Sequence, residues 1–90
     1  MGHCPYEKIK NLEPAFELIR KLEKIKEPKP AIFYLKSQGF LHFHDKDEKI
    51  WADIKDGKKW VSMDVPSKIT PTFLKNFFVD VQKVYLRQLK

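Results

Sequence analysis

Residues 40–65 read FLHFHDKDEKIWADIKDGKKWVSMDV, and the spacing of their apolar positions decides the fold. Leu41 and Phe43, then Ile50, Ala52 and Ile54, then Val61, Met63 and Val65 recur at every second position. Such alternation marks a half-buried strand. Two polar breaks, Asp45–Glu48 and Lys55–Lys58, divide the stretch into three runs, which predicts an antiparallel meander. The second break centres on Asp56-Gly57, a pair suited to a type I′ turn, in which both central residues need positive φ. That turn pairs Ile54 with Lys59, Asp53 with Trp60 and Trp51 with Ser62. A four-residue loop at Asp45–Glu48 sets His44 opposite Lys49, His42 opposite Trp51 and Phe40 opposite Asp53.

Successive side chains point to opposite faces of a sheet. One face then holds Leu41, Phe43, Ile50, Ala52, Ile54, Val61, Met63 and Val65, a uniformly apolar set that must be the core. The other holds Phe40, His42, His44, Trp51, Asp53, Trp60, Ser62 and Asp64. Its rows read His44–Lys49–Asp64, His42–Trp51–Ser62 and Phe40–Asp53–Trp60. A solvated sheet face is ordinarily Lys, Glu, Thr and Ser. Aromatic area beside a few polar groups is the composition of a binding surface, and equally of a face buried between two copies.

The flanks read as helix and connector. Tyr6, Ile9, Leu12, Phe16, Ile19, Leu22 and Ile25 recur at helical spacing, interrupted by Pro14. A short helix at 5–10 and a longer one at 12–26 follow, with Asn11 or Glu13 as cap and Pro14 in the first turn. Glu27-Pro28-Lys29-Pro30 reads as an extended connector. Residues 31–38 fit either an edge strand over 31–36 or a short helix ended by Gly39; as a strand, Phe33 and Leu35 would join the His/Trp face. Thr70-Pro71 starts a helix over 71–88, whose stripe of Leu74, Phe77, Phe78, Val81, Val84 and Tyr85 packs on the apolar sheet face. The expected fold is α+β: a three- to four-stranded antiparallel meander with helices on one side.

Ninety residues make one domain, 1–90, with a modest core. No apolar run approaches the ~20 residues of a membrane span, and MGHCPYEKIK has no apolar stretch of a signal peptide. A soluble, cytoplasmic protein is the expectation. The single cysteine, Cys4, excludes an internal disulfide and fits a reducing compartment. His3-Cys4 reads either as a frayed terminus or as a metal-binding or reactive pair. The net charge of +6 comes from lysines spread along the chain, as on solvated faces. Abundant Glu, Lys and Ile with few Asn and Gln lean toward a thermophilic source.

His42-Phe43-His44 is the sharpest chemical signal. Histidines at i, i+2 on a strand share a face, about 7 Å apart at Cβ, where they can hold one divalent transition metal with a carboxylate such as Asp64. The same imidazoles could serve acid–base chemistry beside Asp64 or Ser62, although Ser62 in a strand lacks the strained turn and oxyanion donors of a nucleophile. Phe40, Trp51 and Trp60 could instead stack single-stranded nucleic acid, against the two aspartates of that face. A homodimer through this face needs no chemistry at all. Phosphate-loop, dinucleotide and zinc-finger patterns are absent. A binding module for a metal or small ligand, a homodimer, or both, is the first expectation; a nucleic-acid-binding domain and a small enzyme are the alternatives.

His42-Phe43-His44, Ala52-Asp53-Ile54, Lys59-Trp60-Val61-Ser62 and the run from Phe77 to Tyr85 together resemble the core of luciferase-like domains of small microbial proteins. The resemblance covers about half the chain. Here a bare hairpin stands where that family has a helix before its W-V-S strand, and Lys59 stands for a glycine. The resemblance implies that His42, His44, Asp53 and Trp60 form the face of interest, and supplies no reaction.

Overall fold

The computed structural model describes residues 4–89. Two short 3-10 turns, Tyr6–Lys8 and Lys10–Leu12, lead into helix α1, Glu13–Arg20. Strands β1 (Ile25–Lys29), β2 (Ile32–Leu35), β3 (Gln38–Lys46), β4 (Lys49–Asp56) and β5 (Lys59–Val65) follow, then helix α2, Pro71–Gln88. The strands form one five-stranded antiparallel sheet in chain order. The fold is α+β, with one strand more than the upper sequence expectation. Among the described residues no helix is long and apolar enough to cross a membrane.

Both helices pack on the face of Leu41, Phe43, Ala52 and Ile54, each at most 1% exposed. Phe16 of α1 meets Phe43 edge-on at 5.5 Å between ring centres and Phe33 at 5.7 Å; Phe77 of α2 meets Phe43 at 5.9 Å. Thr70 caps α2 as the sequence predicts, its hydroxyl accepting from the Phe73 N–H at 3.0 Å with Pro71 behind it.

The register departs from the expected one while the faces survive. The first turn is two residues, Asp47 and Glu48, at φ 50° and 66°, so Asp45 and Lys46 extend β3. The next turn is Gly57-Lys58, with positive φ at Gly57 alone, so Asp56 stays in β4 and pairs with Lys59. Glycine in the first central position is the type II′ arrangement. Both changes move β4 by two residues relative to its neighbours, roughly 7 Å along the strand. A two-residue slide keeps every side chain on its face. The rows become His44–Trp51–Asp64 and His42–Asp53–Ser62, with Lys55 beside Trp60.

Further expectations fail. Phe40 is not on the His/Trp face: it is 1% exposed and belongs to the core. Phe33 pairs with Leu41 while Tyr34 pairs with Gly39, so Phe40 is the extra residue of a β-bulge and turns inward with Leu41. The one-residue offset also turns Phe33 and Leu35 to the core and leaves Tyr34 outside. The helix expected over 12–26 stops at Arg20. The chain reverses at Lys24, φ 70°, and Ile25–Lys29 forms an edge strand where a connector was expected. Leu22 and Ile25 pack against the core in either conformation, so their spacing could not separate the two.

His3 lies outside the described residues. Cys4 is not frayed: its N–H donates to the Phe43 carbonyl at 2.9 Å and its thiol is buried. Burial, with Asp45 nearby, raises the thiol above its ordinary pKa, which disfavours the reactive thiolate.

Glu13 does not cap α1; it accepts from Arg20 and from the Tyr6 hydroxyl. Those two hydrogen bonds, Arg20 first, hold its carboxyl below the usual value. A lowered carboxylate pKa adds stability that is fully present above the unfolded value, about 4.3, and is lost as pH falls through the folded value. In urea unfolding followed by circular dichroism, Glu13→Gln is expected to flatten the acid limb. The midpoint should drop less between pH ~6 and ~2.5 than in the wild type. Equal drops would assign the acid sensitivity elsewhere. The effect should be small, because Glu13 remains a third exposed.

Candidate functional site

Both helices lie on one face, and among the described residues no helix covers the opposite face of β3, β4 and β5. The bare alternation of strand side chains places His42, His44, Trp51, Asp53, Trp60, Ser62 and Asp64 there. Only some of them converge. His42 Nδ1 and His44 Nε2 are 3.0 Å apart, and His44 Nε2 is 3.0 Å from Asp53 Oδ2. One ligand atom from each of these three residues lies within 4.8 Å of the other two. Asp53 Oδ1 accepts a 2.6 Å hydrogen bond from the Ser62 hydroxyl, which orients the carboxylate. All three converging residues are half-buried.

Asp53 stands beside the histidines because β4 slid by two residues: it pairs with His42 rather than with Trp60. Asp64, the carboxylate to which the sequence points, is outside the converging group. It shares a row with His44, but Trp51 stands between them on β4.

The indoles wall the group. Trp60 lies 4.6 Å from the His42 ring and Trp51 5.7 Å from the His44 ring, while the two imidazoles meet nearly perpendicular, at 87°. Trp60 reaches across β4 to β3: a Cβ placed on Gly39 would meet its Cη2 at 3.6 Å. That is ordinary van der Waals contact, and the indole lies tilted by 53° to the His42 ring. Lys55, directly opposite Trp60, carries its ammonium 5.8 Å from the ring centre. Lys55 and Tyr34 were missed in the sequence. Tyr34 was legible only once the bulge at Phe40 was known; Lys55 needed the true turn.

The geometry bears on each chemistry. A single imidazole nitrogen, His44 Nε2, approaches both a second imidazole nitrogen and a carboxylate oxygen. If it carries a proton, its one N–H serves one neighbour well and the other only by bifurcation. If it carries none, its lone pair faces the carboxylate's. A cation placed among the three atoms attracts all of them. The Ser62 hydroxyl gives its proton to Asp53, not to a histidine, so no serine nucleophile is assembled. With Phe40 buried, the open face keeps two of the three rings read as a base-stacking platform. A shallow hollow of about 500 Å³ lies at the β1–β2 end, lined by Lys26, Glu27, Pro28, Tyr34 and Ser37, apart from the histidines.

Comparison with protein-family models, with curated proteins and with solved structures found no match. The reading of function therefore rests on the geometry of this face.

Proposed function

We propose that the protein is a small metal-binding module that takes a first-row divalent transition metal, such as zinc or ferrous iron, on His42, His44 and Asp53. The observation that carries the reading is the crowding at His44 Nε2, 3.0 Å from both His42 Nδ1 and Asp53 Oδ2. Metal–ligand bonds of about 2.0–2.1 Å at a tetrahedral angle separate ligand atoms by roughly 3.3 Å. The two 3.0 Å separations need open by only a few tenths of an ångström to admit the ion, while the third, between His42 and Asp53, lies within 4.8 Å. Two imidazoles and one carboxylate suit zinc or iron better than the all-oxygen shells of calcium or magnesium. Three protein ligands on an open face leave coordination positions for water or a small ligand.

The test is titration of protein made without a histidine tag, with cobalt(II) as a visible reporter and zinc as its competitor. The wild type is expected to bind one equivalent and to develop the d–d absorption of low-coordinate cobalt. Loss of partners that merely orient metal ligands lowers affinity 10- to 100-fold, so His44→Ala should weaken binding by at least about 100-fold, and Ser62→Ala by about tenfold. Wild-type binding no tighter than that of a His42→Ala/His44→Ala variant would end the proposal.

A further inference from the structure

The two edges of the sheet differ. On β1, Pro28 has no N–H to offer and the register to β2 shifts between Lys26 and Lys29. Proline and irregularity are two of the devices by which natural sheets refuse further strands. On β5, Lys59–Val65, neither device is present: the strand has no proline, and its ladder to β4 is continuous from the Asp56–Lys59 pair to the Ile50–Val65 pair. In a two-residue hairpin the pair flanking the turn exchanges hydrogen bonds, and bonded and non-bonded pairs then alternate. Trp60, Ser62 and Asp64 therefore direct their N–H and C=O groups outward from the sheet.

A second sign lies on the helix side of the same strand. Val61 pairs with Ile54, which is 1% exposed, yet Val61 itself is 37% exposed. Its parity assigns it to the core, but nothing among the described residues covers it fully.

We propose that β5 pairs with β5 of a second copy, antiparallel about a twofold axis, joining the two sheets into one. The contact closes at two copies, because β1 offers no edge on which a chain of copies could propagate. Residues opposite each other across such a pair share a face, so the helices of both copies lie on one side and both histidine clusters on the other. The best register sets Val61 on the axis. The two exposed valines then cover each other, Trp60 faces Ser62 of the second copy, and Lys58 faces Asp64 of the second copy. The last contact occurs twice by symmetry and joins opposite charges. Placing Ser62 on the axis would instead set Trp60 against Asp64 and Lys59 against Val65. The pairing does not depend on bound metal: the histidines lie on β3, two strands from the edge.

Sedimentation equilibrium on the whole chain, with and without a chelator, tests this. A dimer is expected in both conditions. Val61→Lys, which sets two ammonium groups against each other, should weaken it by about 100-fold or more with an unchanged circular dichroism spectrum. In a Cys4→Ser background, Val61→Cys should form an intermolecular disulfide on mild oxidation, because non-bonded antiparallel neighbours sit about 4.5 Å apart at Cα, within disulfide reach. Asp64→Lys should weaken the dimer several-fold, and adding Lys58→Asp should restore it. A monomer at every concentration overturns the proposal. So does a dimer indifferent to Val61→Lys, and so does failure of the Val61→Cys cross-link.

Discussion

Phe43→Ala is expected to lower folding stability by about 3–5 kcal/mol, the usual cost of emptying a buried phenylalanine site. Phe43 is 1% exposed and its ring touches an aromatic of each helix, Phe16 of α1 and Phe77 of α2. Truncation removes both ring contacts and leaves a cavity that neither helix can fill without losing its seat on the sheet. Domains of this size have total stabilities of about 5–15 kcal/mol, so the loss is a large share of the whole. At roughly 4–8 °C per kcal/mol, the melting temperature should fall by tens of degrees. Trp60→Ala removes a larger side chain from the opposite face, where the indole is 44% exposed. It should cost less, about 1–2 kcal/mol, because nearly half of the indole is already in water. The contrast is read by thermal and urea unfolding of both variants. Equal losses would mean that the helices do not pack beneath β3.

The same asymmetry explains what the sequence disclosed. Strand faces are set by parity alone, so Leu41, Phe43, Ala52 and Ile54 could be assigned to the core without knowing where either turn closes. Pairing partners depend on the turn, and here composition misled. Asp56-Gly57 is a preferred turn pair, but the chain turns at Gly57-Lys58. Asp47 and Glu48 both take positive φ with no glycine to announce it, as do Lys36 and Ser37 before β3. Left-handed conformations at such residues are imposed by the pairing of the flanking strands, which a local reading cannot weigh. Phe40 is the sharper case. One extra residue in β3 reverses its face, and its only mark in the sequence is the neighbouring Gly39, which reads equally as a turn or a helix end. β1 was hidden for another reason: two prolines within four residues look like a connector, and only an edge strand tolerates Pro28. The histidines were found because i, i+2 spacing survives every one of these errors. Their carboxylate partner was not, because it comes from the strand that slid.

That slide is open to a direct chemical test. Asp53→Asn is expected to abolish tight binding of zinc or cobalt, while Asp64→Asn leaves it near wild type. Asparagine keeps the size of the side chain and still accepts from Ser62, but brings a neutral amide where a charged oxygen faces His44 Nε2 at 3.0 Å. Metal that binds only the folded chain stabilises it by about 2.7 kcal/mol when present at a hundred times its dissociation constant. For a domain this small that is a rise in melting temperature of roughly 10–20 °C. The wild type and Asp64→Asn should show the rise on adding zinc; Asp53→Asn should not. The pair of variants separates two registers of β4. With the strand two residues back, Asp53 would stand beside Trp60 and the only carboxylate level with His44 would be Asp64. A rise lost in Asp64→Asn but kept in Asp53→Asn would return β4 to that register and place the ion on the row of His44. A rise kept in both would take the carboxylate out of the site and leave the histidines to bind alone.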